Sequence, residues 1–119
     1  MKLKRVDDLL KLYSKGIRDF NGLELEEDPE GFVGVNFSNS NFENSFIIGN
    51  FTGANLKNVS FIGANLKTSR FNNANLENAN FSKAALCATE FKGAILLGTI
   101  FTSAYFHSSV LEAGEVPNW

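Results

Sequence analysis

Large apolar residues recur at every fifth position through the second half of the chain. Five residues rotate a helix by about 140° net and reverse the face of a straight strand, so neither element keeps such a series on one face. The chain must therefore turn once per repeat, and the repeated residues should all point inward. They are Phe51, Leu56, Phe61, Leu66, Phe71, Leu76, Phe81, Leu86, Phe91, Leu96, Phe101, Phe106 and Leu111.

Two further series keep the same period. A small or compact residue lies two positions before each large one, as at Ala54, Ala64 and Ala74, and should also point inward. Two positions after the large residue come residues that adopt a positive φ at little cost. They are Gly53, Gly63, Gly93, Gly98, Asn58, Asn73 and Asn78. A short extended segment and a corner therefore make each repeat, and corners of one sense wind the chain into coils that stack at about 4.8 Å.

Three repeats carry a recognisable motif: Ala54-Asn55-Leu56, Ala64-Asn65-Leu66 and Ala74-Asn75-Leu76. They match A(D/N)LXX, and the chain resembles the pentapeptide-repeat family over about residues 20 to 111. The resemblance implies an all-β solenoid, a right-handed quadrilateral β-helix of about four to five coils, with about twenty residues in each coil. A helix of mixed charge followed by RDFNG (18–22) also resembles members abundant in cyanobacteria.

A coil of that length predicts the structural core. Phe51, Phe71 and Phe91 should stack on one side, and Phe61, Phe81 and Phe101 on the opposite side. Leu56, Leu76 and Leu96 should fill a third side, and Leu66, Leu86 and Phe106 the fourth. Upstream, Phe32, Phe37, Phe42 and Ile47 extend the columns if one residue is missing between Ile47 and Phe51. Phe46 competes with Ile47 for the inward position.

The first residues predict a helical cap with one apolar face that should end by residue 16. This face comprises Val6, Leu9, Leu10, Tyr13 and Ile17. So short a helix needs a packing surface, and we expect it to cover the open end of the solenoid. The predicted organisation is a capping helix over residues 1–18, a β-helix over 19–111 and a tail over 112–119.

Residues 26–31 (EEDPEG) interrupt the repeats, and Pro29 and Gly31 indicate an irregular acidic loop. Two interpretations stay open: a solvated connection that covers a sheet edge, or an acidic docking element.

Charge narrows the class of function. The chain has a formal net charge of −2, and residues 31–119 carry five Lys/Arg and five Asp/Glu. The neutral repeats argue against nucleic-acid binding. With one cysteine and without an apolar run long enough to span a membrane, we expect a cytoplasmic protein that does not bind membranes.

Few side chains suit catalysis. Cys87 and His107 are twenty residues apart and should be outward neighbours on successive coils, with Lys67 one coil further along. Since a flat β-helix wall supplies neither an enclosed pocket nor an oxyanion hole, we interpret them as coincidental neighbours. The sequence predicts no enzyme, no cofactor and no metal site.

Asparagine often precedes the large residue and should point outward. The positions are Asn36, Asn41, Asn50, Asn55, Asn65, Asn75 and Asn80. We expect side-chain ladders that help to register successive coils.

The final outward positions change from polar to apolar: Ile95, Leu97, Ile100, Tyr105 and Val110. Lying on successive sides of one coil, they predict an apolar girdle at the C-terminal end and a candidate interface. Alternatively the tail EAGEVPNW (112–119) folds back, with Val116 and Trp119 covering part of it. The girdle predicts a homodimer or an unidentified protein partner. The predicted function is a non-enzymatic interaction scaffold, and the alternative, from the resemblance, is a DNA-mimicking modulator of a type II topoisomerase.

Overall fold

The computed structural model describes residues 1–25, 28–106, 109–110, 114 and 116–117, with the side chain of Ser109 excepted. Its central part is a column of stacked coils. In each repeat, the outward residue before the inward one forms a single parallel β-bridge with its equivalent on the next coil, as in Asn55 with Asn75 and Asn75 with Ile95. Because a corner follows after so few residues, most sides carry one bridge and not a longer strand.

The corners adopt the left-handed backbone conformation that the sequence predicts. From Gly53 to Ser103, every residue two positions after an inward one has a φ between 59° and 75°. The turns predicted at the glycine and asparagine positions are therefore confirmed. Other residue types occupy four of these corners: Thr68, Lys83, Ala88 and Ser103.

The column has four sides, which we call A to D in chain order. The inward residues are Phe20, Phe42, Phe61, Phe81 and Phe101 on side A; Leu25, Ile47, Leu66, Leu86 and Phe106 on side B; Phe32, Phe51, Phe71 and Phe91 on side C; Phe37, Leu56, Leu76 and Leu96 on side D. All are buried except Leu96, which is only partly buried because it belongs to the last coil.

Two phenylalanine columns face each other across this core. Within side A, the ring centroids of Phe61 and Phe81 lie 5.1 Å apart, and those of Phe81 and Phe101 lie 5.2 Å apart, with the rings nearly parallel. Across the core, Phe71 meets Phe81 edge to face at 5.4 Å. Both are the geometries that aromatic rings prefer, so the columns interlock.

One coil is a residue short, as the missing residue between Ile47 and Phe51 predicts. Asn36 pairs with Asn55, nineteen positions on, whereas Asn50 pairs with Arg70, twenty positions on. Ile47 is fully buried, and Phe46 is 47% exposed. Ile47 therefore takes the inward position for which the two residues competed.

The N-terminal end is closed by a short strand and a helix. Strand β1 (Lys2–Leu3) pairs in parallel with β2 (Glu24–Leu25), and helix α1 spans Val6–Ser14. Val6 and Leu9 are buried, and the Tyr13 ring meets Phe37 edge to face at 5.5 Å. The helix ends before Ile17, which is 39% exposed, so its predicted place on the apolar face is wrong.

The acidic loop is attached to this cap. The Asp28 carboxylate accepts a hydrogen bond from the Val6 N–H at 3.1 Å and lies 3.8 Å from the Arg5 guanidinium. A 3₁₀ helix, Pro29–Phe32, follows and buries Phe32 in the core. Glu26 and Glu27 lie outside the described residues. These contacts favour the interpretation as a connection that covers the edge.

Candidate interaction surface

The outward residues become apolar where the column ends. On side D, the positions occupied by Asn36, Asn55 and Asn75 are followed on the last coil by Ile95. Ile95 is 51% exposed, Leu97 71% and Ile100, on side A, 45%. Tyr105 and Val110 on side B are also about half exposed. We call these five residues the terminal apolar surface.

This surface does not encircle the column as predicted. Strand β3 (Tyr105–Phe106) pairs antiparallel with β4 (Ser109–Val110), which places Val110 opposite Tyr105. Because the chain reverses here, Val110 lies on side B and not on side C, so the surface occupies three sides. His107 and Ser108, between the strands, lie outside the described residues.

The structure describes only Gly114, Val116 and Pro117 of the tail that the alternative interpretation folds back. Val116 is 52% exposed, whereas Pro117 is buried. Trp119 lies outside the described residues. Ile95, Leu97 and Ile100 are exposed on sides D and A.

The backbone is open at the same place. Between coils on side D, the Leu76 N–H donates to the Ile95 carbonyl and the Ile95 N–H donates to the Ala74 carbonyl, each at 2.9 Å. One coil further, the equivalent groups are the N–H of Leu96 and the carbonyl of Ala94. Neither has a hydrogen-bond partner among the described residues. Within the described part of the chain, side D thus ends in an unpaired sheet edge.

The structure shows a second pair of exposed apolar residues, of which the sequence analysis considered only one. Phe46 and Ile48 are 47% and 49% exposed and flank the buried Ile47. Ile48 also lines a shallow cleft together with Pro29, Glu30, Gly49, Asn50, Thr68 and Arg70. The signal in the sequence was the run of three large apolar residues at 46–48, where the repeat allows one inward residue. A shallow cleft of this kind does not enclose a ligand.

The asparagine residues make contacts within a coil, and some of them also make the predicted side-chain contacts between coils. The side-chain oxygen of each of the seven accepts a hydrogen bond from the backbone N–H two residues later, for example Asn75 from Glu77 at 3.1 Å. This Asx-type contact stabilises the following corner within one coil. Between coils, the side-chain amide of Asn50 donates to the Glu30 carboxylate at 2.9 Å, and that of Asn41 donates to the Asp19 carboxylate at 3.3 Å. The corner residue Asn58 donates to Asn39 at 3.0 Å.

The charged side chains of the walls lie in mixed pairs. Lys57 lies 3.7 Å from Glu77, and Arg70 lies 3.4 Å from Glu90, each pair joining successive coils. Residues 31–106 contain five Lys/Arg and three Glu. The described walls therefore carry no continuous negative stripe.

The structure describes Cys87 and Lys67 of the three candidate chemical residues. Cys87 is half buried and His107 lies outside the described part, so their predicted contact has no structural description. In the ranges that the structure describes, no group of three or more His, Cys, Asp or Glu side chains could hold a metal ion. None of the helices described is long and apolar enough to cross a bilayer.

The repeat region is the part of the chain that matches a known family. A family model described as "Pentapeptide repeats (8 copies)" matches residues 50–86 and 79–112, which together make up more than half of the chain. The chain belongs to the pentapeptide repeat family. Pentapeptide repeat proteins are generally non-enzymatic and commonly serve as interaction scaffolds. No functionally curated protein is significantly similar to this chain.

A solved pentapeptide repeat structure shares the fold, and two others are less similar. The protein alr5209 from Nostoc Pcc 7120 has a TM-score of 0.52 and 23% identity, over 96% of this chain and 90% of its own. HetL, a pentapeptide repeat protein involved in heterocyst differentiation regulation from Nostoc sp. strain PCC 7120, has a TM-score of 0.46 and 24% identity, over 78% of this chain and 43% of its own. Rfr23 from Cyanothece 51142 has a TM-score of 0.43 and 26% identity, over 79% and 64%. The predicted right-handed quadrilateral β-helix is confirmed.

Proposed function

We propose that this pentapeptide repeat protein is a non-enzymatic scaffold that binds a protein chain through its terminal apolar surface. The observation that carries the proposal is the change at equivalent outward positions. Polar residues occupy them on the earlier coils, and Ile95 and Ile100 occupy them on the last. Since nothing in the inward packing requires this change, binding is the best physical reason for it.

The exposure of these side chains supports the same conclusion. Leu97, at 71%, lies beside Ile95 on one side of the column, and Ile100 lies on the next. Covering neighbouring apolar groups stabilises a complex by about 25 cal/mol for each Å² removed from water. Contiguous exposure of this kind usually marks an interaction site.

The scaffold is well suited to hold this surface rigid. Below it, Phe101 stacks on Phe81, and Ala104 is fully buried. A partner therefore meets side chains that are already fixed, which reduces the entropy lost on binding.

Charge argues against the alternative of DNA mimicry directed at a type II topoisomerase. A mimic must reproduce the dense negative charge that attracts DNA-binding proteins. Residues 31–106 carry five Lys/Arg and three Glu, and Lys57 and Arg70 each pair with a glutamate.

The proposal is tested by affinity capture from extracts of the organism that makes the protein. We expect the intact protein to retain one or a few chains, which include its own endogenous copy if it self-associates. Leu97→Glu and Ile100→Glu should abolish retention, because each places a charge in the contact.

Lys92→Glu is the matched control, since Lys92 is exposed on the same coil but lies outside the terminal apolar surface. Far-ultraviolet circular dichroism and thermal midpoints verify that the variants fold. Retention of the same chains by Leu97→Glu, Ile100→Glu and the unmodified protein would show that binding uses another surface.

A further inference from the structure

The corner between sides B and C of the short coil lacks a residue that the next two coils have there. On those coils, Thr68 and Ala88 occupy this corner with φ values of 65° and 59°. The short coil passes from side B to side C over residues 46–50, one residue fewer, and none of them has a positive φ. The wall is therefore notched at this corner. The notch is the shallow cleft beside Ile48, which we call the corner cleft.

The missing residue leaves backbone groups without their usual partners. Between Thr52 and Thr102, the carbonyl that follows each inward residue accepts a hydrogen bond from a corner N–H of the preceding coil, as Cys87 does from Thr68 at 2.9 Å. The Lys67 carbonyl is the exception, and it accepts the Thr68 hydroxyl at 2.6 Å instead. The N–H and the carbonyl of Ile48 have no hydrogen-bond partner among the described residues. An extended chain could pair with these groups.

The size of the corner cleft suits one large apolar side chain. Its volume is about 160 Å³, and exposed Pro29 and Ile48 line it. Phe46, also about half exposed, lies beside Ile48 on side B. A protein cavity of about 150 Å³ holds a benzene ring, whereas sites for drug-sized molecules usually measure about 300–1,000 Å³. The cleft therefore fits a side chain of another protein better than a free small molecule.

Charged groups are fixed on the two rims of the cleft. On the N-terminal rim, the Glu30 carboxylate accepts a hydrogen bond from the Asn50 side-chain amide at 2.9 Å. On the opposite rim, the Arg70 guanidinium lies 3.4 Å from the Glu90 carboxylate. Lys67, next to Thr68, is exposed and has no ion pair in the part of the chain that the structure describes. Its ammonium can therefore attract a carboxylate of a bound chain.

Thr68 links these features. Its backbone conformation is unfavourable for a β-branched residue, and asparagine occupies the equivalent corners at Asn58, Asn73 and Asn78. Strained residues of this kind cluster at functional sites. Here the Thr68 hydroxyl bonds to the unpaired Lys67 carbonyl, and the residue also lines the cleft.

We propose that the corner cleft binds an extended segment of a partner protein in which a large apolar side chain is followed by an acidic one. The apolar side chain enters beside Pro29 and Ile48, the backbone of the segment bonds to the Ile48 N–H, and the carboxylate meets Lys67. The cleft is separate from the terminal apolar surface and adds a second binding site to the scaffold. With one anchoring side chain, the dissociation constant should be about 0.1–1 mM, which is too weak to retain a chain in affinity capture.

Nuclear magnetic resonance of the isotope-labelled 119-residue chain tests the proposal. The probe is the peptide acetyl-Thr-Phe-Asp-Thr-amide, added up to about 5 mM, above the expected dissociation constant. We expect saturable shifts of the amide signals of Ile48, Gly49 and Thr68, with the Ile48 signal moving downfield as its N–H gains an acceptor. Peptides with Ala in place of Phe, or Lys in place of Asp, should bind at least about fivefold more weakly. Absence of these shifts, or equal shifts with the Ala peptide, would overturn the proposal.

Two variants test whether the missing residue makes the site. Insertion of one asparagine between Ile48 and Gly49 restores a full repeat and supplies an N–H to the Lys67 carbonyl, so it should weaken binding at least about tenfold. Ile48→Ser removes only the apolar wall and should weaken binding at least about fivefold. Ile62→Ser is the matched control, because Ile62 has the same repeat position on side A, and it should stay within about twofold. Unchanged binding by either the insertion variant or Ile48→Ser would contradict the site.

This inference and the proposed function fail in different ways. Leu97→Glu, which tests the terminal apolar surface, should leave binding of the peptide within about twofold. Loss of peptide binding in Leu97→Glu, with Ile48→Ser unaffected, would place the peptide on the terminal apolar surface and overturn the corner site. Affinity capture that is insensitive to Leu97→Glu overturns the proposed function and leaves the corner cleft to be decided by the peptide titration.

Discussion

The hydroxyl of Ser69 and the backbone N–H of Gly49 form a hydrogen bond of 3.0 Å between the short coil and the next one. Ser69 is buried, and its hydroxyl also donates to the Ile47 carbonyl at 3.3 Å. Where one residue is missing, this side chain takes over hydrogen bonds that the backbone of a full repeat would make. A Cβ at position 49 would lie 2.7 Å from the Phe32 ring, so only glycine fits there.

Ser69→Ala should therefore destabilise the protein. It leaves the Gly49 N–H without its partner inside the column, at a cost of about 1–3 kcal/mol. Ser45→Ala is the matched control, because Ser45 is also buried in the small inward series, but its hydroxyl has no hydrogen-bond partner in the described part. We expect that variant to be neutral or more stable. Urea unfolding measures both, and equal losses would contradict the role given to Ser69.

The stacked phenylalanine column makes a second prediction. Phe81 contacts Phe61 and Phe101 above and below it, and Phe71 and Phe91 across the core. Phe81→Ala should lower the free energy of unfolding by about 3–5 kcal/mol through the cavity that it leaves. Ser82→Ala, at the adjacent outward position, should cost less than about 1 kcal/mol. Similar losses for the two variants in chemical denaturation would refute the inward register.

The sequence was most informative where one position has one structural requirement. An inward residue must be apolar, and a corner must tolerate a positive φ, so Phe81 and Gly93 could be placed from the five-residue period alone. The choice between Phe46 and Ile47 could not be made in this way, because both are apolar. It depends on the contact of Gly49 with Ser69, twenty residues away, which the local sequence does not show.

The candidate surface could also be predicted from the five-residue period, except where its shape depends on contacts between distant residues. Ile95 and Ile100 break a polar series, and the structure places both on the outside. The period of five continues through Leu111, so the sequence predicted that the coil continues past Phe106. The antiparallel pairing of Val110 with Tyr105 depends instead on where the stack ends. That is a tertiary property without a local sequence signal.

Corner residues provide a test of backbone strain. Thr68 has a φ of 65°, which is unfavourable for a β-branched residue. Thr68→Asn should stabilise the protein by about 0.5–1 kcal/mol, because asparagine tolerates this conformation. The reverse change at an equivalent corner, Asn73→Thr, should destabilise it by about the same amount. Thermal unfolding by calorimetry measures both changes, and a loss of stability in Thr68→Asn would show that the Thr68 side chain contributes more than its backbone costs.

The charge of the walls makes a prediction about topoisomerases. Mimicry of DNA acts through a negative surface that competes for a basic binding groove, and such competition weakens steeply with salt. Here Lys57 pairs with Glu77 and Arg70 pairs with Glu90, so the field along sides D and C is largely cancelled.

We therefore expect that the purified protein, at about 10 µM, neither inhibits supercoiling by DNA gyrase nor protects the enzyme from quinolone-stabilised cleavage. A variant with Lys57→Glu and Arg70→Glu serves as the comparison, because it creates acidic columns where the mixed pairs now lie. A weak, salt-sensitive inhibition that appears only in this variant would show that charge, and not shape, excludes mimicry in the natural chain. Clear protection by the unmodified protein that decreases between about 50 and 200 mM salt would instead establish mimicry despite its neutral walls.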